Sequence, residues 1–180
     1  MKSRIFNILL NQVGWFACVL GAAHGLPWTG SAIALALIVI HMLLIKDRGR
    51  EIRLLLVVAA LGAALDSIQG WLGVVRFSSG YIVDWLCPLW IILLWAQFGT
   101  LLHISLNWLA GRYVLAGLSG LIGGPLAFFG GARLGAATFH PDLRIALGAL
   151  ALEWALAMPA LIWLAGRFPV RPGYRRLDPD

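Results

Sequence analysis

Charge is what this chain has least of. Lysine, arginine, aspartate and glutamate together make up 12% of it, against 61% hydrophobic residues. A water-soluble domain cannot hide that much apolar surface, so most of the chain is solvated by lipid. With only 2 cysteines, a disulfide-built scaffold or a cysteine zinc cluster is excluded. Catalytic signatures are missing too: there is no H-E-x-x-H, no G-x-S-x-G and no phosphate-binding G-K-[ST]. His24 and His140, even with Asp84 or Asp142, match no metal-ligand spacing. No metal and no cofactor are therefore expected. An internal repeat is also lacking, which removes the usual support for an inverted-repeat transporter.

What is present is long apolar runs. Six stretches reach the roughly 17–25 residues that a helix needs to cross a hydrocarbon core about 30 Å thick. They are Ile5–Ala23, Trp28–Ile45, Ile52–Gly73, Trp85–Leu106, Tyr113–Leu134 and Ile145–Ala165. The connections between them are short. The expectation is an all-α, polytopic membrane protein: one six-helix domain over residues 1–166 and a short basic tail over 167–180. Gly123, Gly124 and Pro125 in the fifth stretch predict a kink or break there, because proline removes a helix hydrogen bond.

The net charge of +6 is read by position. Lys2, Arg4, Lys46, Arg48, Arg50, Arg53, Arg112, Arg167, Arg171, Arg175 and Arg176 fall on the side of the two termini; only Arg76, Arg133 and Arg144 fall on the other. That asymmetry is the positive-inside signal and puts both termini in the cytosol. It accounts for the basic balance without nucleic acid. The partner it implies is membrane lipid, and whether the chain binds other membrane proteins or itself is left open.

Where polar residues interrupt the runs, they do so on small-residue faces, which mark packed sides of membrane helices. Asp66 shares a helical face with Ala59, Gly62, Ala63 and Gly70, and Glu153 with Ala146, Ala149, Ala157 and Ala160. At 1.5 Å per residue both acids lie about 10–12 Å below one boundary. They are the candidate acid/base groups, with Ser67, Gln69 and Arg133 as candidates for orienting a substrate or headgroup. An unpaired charge at such depth costs about 2.5–3.5 kcal/mol on the lenient insertion scale, so a compensating partner is expected, Arg133 being the nearest cation. Towards the opposite boundary Asn7, Asn11, His41, His103 and Asn107 form a second, inner polar layer. Polar glue between helices is the favoured reading of His103 with Asn107, and His41 is expected at the interface. The second stretch, lacking a small-residue line, is expected at the periphery.

The segments NQVGWFACVLGAA, LDSIQGWLGVVRF, PLWIILLWAQFGTLLHISLNWL and GGPLAFFGGARLGA resemble a family of small bacterial inner-membrane proteins of unassigned function, domain of unknown function 2878. The resemblance runs roughly from Asn7 to Pro159. It implies a multi-pass protein of the bacterial inner membrane, and a loose association of the family with fatty-acid modification points towards lipid. It supplies no catalytic residue. Three readings follow. The favoured one is a lipid-handling protein, enzyme or accessory, using Asp66 and Glu153. The alternatives are a small-solute or proton-coupled transporter using the same acids, and a structural subunit whose polar faces only specify packing.

Overall fold

A computed structural model describes residues 2–171, 173 and 174. The chain folds as six α-helices, α1 (Lys2–Ala23), α2 (Pro27–Leu44), α3 (Arg48–Trp71), α4 (Leu89–Leu102), α5 (Tyr113–Arg133) and α6 (Leu143–Arg167). Two three-residue strands, β1 (Val75–Phe77) and β2 (Ala137–Phe139), pair antiparallel with Arg76 opposite Thr138. The helices run alternately up and down. One end of the bundle carries Ser3 and Tyr174, and the other carries the β1–β2 ribbon.

The helix boundaries follow from local chemistry. Pro27 opens α2, where its missing N–H costs nothing, and the Asp142 carboxylate caps α6 by accepting from the Arg144 N–H at 2.9 Å. Pro88 delays α4, because the residues before a proline avoid helical backbone. α4 is therefore 14 residues long, not the 22 expected from its hydropathy, and ends in turns and a single 3₁₀ turn at Asn107–Leu109. At 1.5 Å per residue it covers about 21 Å. By length and composition α1, α2, α5 and α6 are apolar enough to cross a membrane. α5 runs unbroken through Pro125, so the expected break is absent.

Packing divides the bundle. α1, α2, α4 and α3 form one contiguous group, and α5 packs chiefly on α6, which touches α3 and α4. α2 is not peripheral. Its buried residues Pro27, Gly30, Ser31, Ala34, Ile38 and His41 recur every three or four positions, and Cys18 on α1 packs so closely that its Sγ donates to the Gly30 carbonyl at 3.5 Å. Cys18 and Cys87 are both buried free thiols. At the ribbon end, Ser78 and Ser79 each donate to the Ala22 carbonyl, fastening the loop after β1 to α1. At the other end the expected tail turns back. Val170 and Tyr174 bury themselves with Ile45 and Ile104, and Tyr174 forms a β-bridge with Ile45. Arg175 and Arg176 lie outside the described residues.

Candidate functional site

Two polar clusters lie inside the bundle, one in each half. The first is built around Asp66 on α3, which is 1% exposed. One turn earlier stands Gly62, and the Trp95 ring of α4 occupies the space a side chain there would fill. That close approach lets the Trp95 indole N–H donate to Asp66 Oδ2 at 2.5 Å. Trp95 in turn stacks on Trp154 of α6, with centroids 4.8 Å apart and planes 12° from parallel. Trp154 lies against Gly124 of α5 as Trp95 lies against Gly62. Two glycines on different helices thus seat one tryptophan pair, and that pair holds the acid.

Glu153 precedes Trp154 and receives a hydrogen bond from Gln69 Nε2 at 2.5 Å. Gln69 is one turn beyond Asp66, so the two acids sit in one cluster, each held by its own neutral donor, an amide for Glu153 and an indole for Asp66. Ser67 points elsewhere: its hydroxyl donates to the Ala63 carbonyl and accepts from the Cys87 N–H at 2.9 Å. Arg133 is exposed at the end of α5 and pairs with neither acid. The expected charge compensation by Arg133 is therefore replaced by hydrogen bonding from neutral donors. These leave four polar atoms in the cluster without a partner among the described residues: Asp66 Oδ1, Gln69 Oε1, Glu153 Oε1 and Trp154 Nε1.

Asp66, Trp95 and Trp154 line a cavity of about 570 Å³. Its walls come from α1, α4, α5 and α6, with Asp66 from α3, Phe77 towards the ribbon end and Leu106 towards the other. The lining is mostly apolar and aromatic. Gln12, Ser119, Gly123, Leu126 and Ala127 line it and are also exposed. All five lie in the middle stretches of α1 and α5, so the cavity opens through the side of the bundle between these helices. Asn11, half-buried, lines the same cavity.

The second cluster surrounds Glu51, on the first turn of α3 and fully buried. Its Oε1 accepts from His41 Nε2 at 2.8 Å and its Oε2 from His103 Nδ1 at 2.7 Å. His103 Nε2 meets the Ala165 carbonyl at 3.1 Å. A carbonyl can only accept, so with an ionised Glu51 both His103 nitrogens carry protons and the ring is an imidazolium. His41 Nδ1 lies 2.9 Å from the Tyr174 hydroxyl, which donates to it, making His41 the neutral Nε2–H tautomer. Asn7 then donates to the Tyr174 oxygen at 3.1 Å, and Ser105 donates to Asn7 Oδ1 at 2.6 Å. This tautomer assignment rests on counting donors and acceptors, and it leaves every member of the chain satisfied. Burial pushes the Tyr174 hydroxyl up to about 12, with Asn7 pulling it down and Glu51 adding to the rise.

Of the sequence-derived inner layer, Asn7, His41 and His103 come together here. His41 is 1% exposed, not interfacial, and Asn11 turns to the cavity instead. Asn107 is exposed on the 3₁₀ turn and away from His103. Glu51 and Tyr174, which organise the cluster, were not among the candidates. Glu51 sits in the charged run KDRGRE, whose composition reads as a solvated turn. The signal available was its spacing of three to Leu54 and four to Leu55, on the buried face of α3. No group of three or more histidine, cysteine, aspartate or glutamate side chains among the described residues is arranged to hold a metal ion.

An apolar helical bundle, with helices long enough to cross a bilayer and a carboxylate buried at a side-opening cavity, defines a helical membrane protein. The chain belongs to the family described as Protein of unknown function (DUF2878), whose model matches residues 4–160. No curated protein and no solved structure matches it.

Proposed function

We propose that this is a six-span protein of the bacterial inner membrane, with both termini cytosolic, that takes hold of a lipid in the cavity beside Asp66. The observation that carries the reading is the cavity: apolar, about 570 Å³, within the roughly 300–1,000 Å³ range of small-molecule sites, and open at mid-helix. With α1 and α5 spanning the bilayer, such a mouth faces hydrocarbon, and an acyl chain enters without crossing water. Asp66, at the wall with one oxygen uncommitted, is the group that meets whatever polarity the lipid brings. It serves there as acid/base or as an orienting acceptor, with Gln69 and Glu153 behind it. Intramembrane acids are functional by default because hydrocarbon penalises them.

The topology rests on the one-sided distribution of basic residues and on the even number of helices. α3, at 24 residues, is long enough to span, and α4 reaches depth from the loop that precedes Pro88.

Gly123 supplies the test. It lines the cavity, and a Cβ built on it meets nothing within 4 Å, so Gly123→Phe starts into open space at the mouth. Photoactivatable fatty-acyl lipid should crosslink to the wild type in membranes and lose most of its labelling in Gly123→Phe. The lipid profile of a deletion strain should be restored by the wild type and not by Gly123→Phe or Asp66→Asn. Equal crosslinking of both proteins would overturn the reading. An unchanged lipid profile with a changed solute uptake would favour the transporter alternative.

A further inference from the structure

The cluster around Asp66, at the wall of the cavity, is short of hydrogen-bond donors, not acceptors. Asp66 Oδ1, Gln69 Oε1 and Glu153 Oε1 are unpartnered acceptors, and Trp154 Nε1 is the single unpartnered donor of that cluster. Asp66 and Gln69 are more than nine-tenths buried, so water does not serve them freely, and an unmet buried acceptor is costly. Two carboxylates share the cluster, and no lysine, arginine or histidine bonds to either of them among the described residues. Arg133, the nearest cation by sequence depth, points away. Beside Asp66 on the same wall lie Trp95 and Trp154, stacked on each other.

A carboxylate or phosphate brought to this wall would find like charge and one indole N–H. A protonated nitrogen would find a free carboxylate oxygen with further acceptors behind it. Building on the lipid reading above, we propose that the cavity binds an apolar molecule through a protonated amine, whose N–H donates to Asp66 Oδ1 while its hydrocarbon lies along the wall formed by Phe98, Leu94 and Phe128. The amine arrives either as a free long-chain amine or as the head of an amine-bearing lipid. Both present the same ammonium.

The experiment uses the full chain in phosphatidylcholine nanodiscs, with tritiated octadecylamine as probe and empty nanodiscs as the blank. Saturable binding is expected. Asp66→Asn should weaken it at least tenfold, because the amide keeps the acceptor that Trp95 uses and loses the charge. Glu153→Gln should weaken it less, a few-fold, through the lost second charge. Unlabelled octadecylamine should compete and stearate should not. Competition by phosphatidylethanolamine identifies the lipid headgroup as the source; competition by the free amine alone identifies a free amine. Equal competition by stearate, or binding unchanged in Asp66→Asn, overturns the proposal. Gly123→Phe separates the two levels of inference. If stearate and octadecylamine bind alike and both are lost in Gly123→Phe, the headgroup assignment falls and the lipid cavity stands. If no alkyl probe binds saturably, both fall. Unchanged thermal melting of Asp66→Asn excludes misfolding as the cause of lost binding.

Discussion

Replacing Glu51 by alanine removes both acceptors of the terminal-end network at once. His41 Nε2 and His103 Nδ1, bonded to it at 2.8 and 2.7 Å, are left buried without partners, and one of the two rings carries a charge. Breaking a buried ion pair from one side costs about 3–5 kcal/mol, and two hydrogen bonds to a charged group sum to a similar figure at about 1.5–3 kcal/mol each. Ordinary interhelical hydrogen bonds in membranes average only about 0.6 kcal/mol, so two of them would sum to little over 1. The two accounts are far enough apart to distinguish. Glu51→Gln is the internal control. Its amide oxygen accepts from His41 and its N–H donates to a neutral His103 Nδ1, while His103 Nε2 keeps the Ala165 carbonyl. Charge-assisted bonds are roughly twice as strong as neutral ones, so the glutamine variant should lose about half of what alanine loses. Unfolding by SDS titration in mixed micelles, followed by tryptophan fluorescence, measures both. A loss for Glu51→Ala under about 1 kcal/mol, or equal losses for the two variants, would refute the network described here.

Three further outcomes are expected. Tyr174 has an ordinary value of 10.0 raised to about 12, so its contribution is fully present below pH 10 and is lost as pH rises towards 12; Tyr174→Phe should remove that alkaline decline, read by thermal melting across pH 8–12. Gly124→Leu drives a side chain into the Trp154 ring and should cost at least about 1–3 kcal/mol, the usual range for overpacking, whereas Leu121→Ala on the exposed face of α5 should stay within about 0.5 kcal/mol, both by the same SDS titration. Reporter fusions after Gly80 and His140 should report the periplasm and fusions after Arg48 the cytosol; the reverse pattern would remove the six-span orientation.

Asp66 shows how far the sequence could be read. Its face, Gly62 with Ala63 and Gly70, was visible as a line of small residues, and so was that of Glu153. What those faces accommodate was not visible. Gly62 and Gly124 make room for indole rings, and only three-dimensional proximity reveals that Trp95 and Trp154 are the rings concerned. Arg133 was expected as a partner because hydrocarbon penalises charge; the fold uses dipoles from Trp95 and Gln69 instead, and neutral donors leave no charge pattern to find. The fourth apolar stretch was read straight through Pro88, because apolar residues lie on both sides of it, so the true length of α4 was hidden. At the terminal end, Glu51 and Tyr174 lie in stretches whose neighbours are basic, Arg48, Arg50 and Arg53 for one and Arg171 for the other. Local composition marks both as solvated, and the contacts that bury them span large distances in sequence.

The longest of those spans has a consequence for how the protein is made. The Tyr174 N–H donates to Ser3 Oγ across 171 positions, and its hydroxyl supplies a proton to His41. During synthesis α1 through α6 emerge while that seat stands empty, with His41 Nδ1 and Ser3 Oγ each short of a partner and Asn7 left with Thr100 and Ser105 alone. Tyr174 bonds all three in one step, acting as a clasp that fastens the beginning of the chain to a segment made long after it. A chain that stops before Tyr174 lacks the groups that close this polar seam. Such a product carries unmatched hydrogen-bonding groups at this end of the bundle. The finished chain hides them.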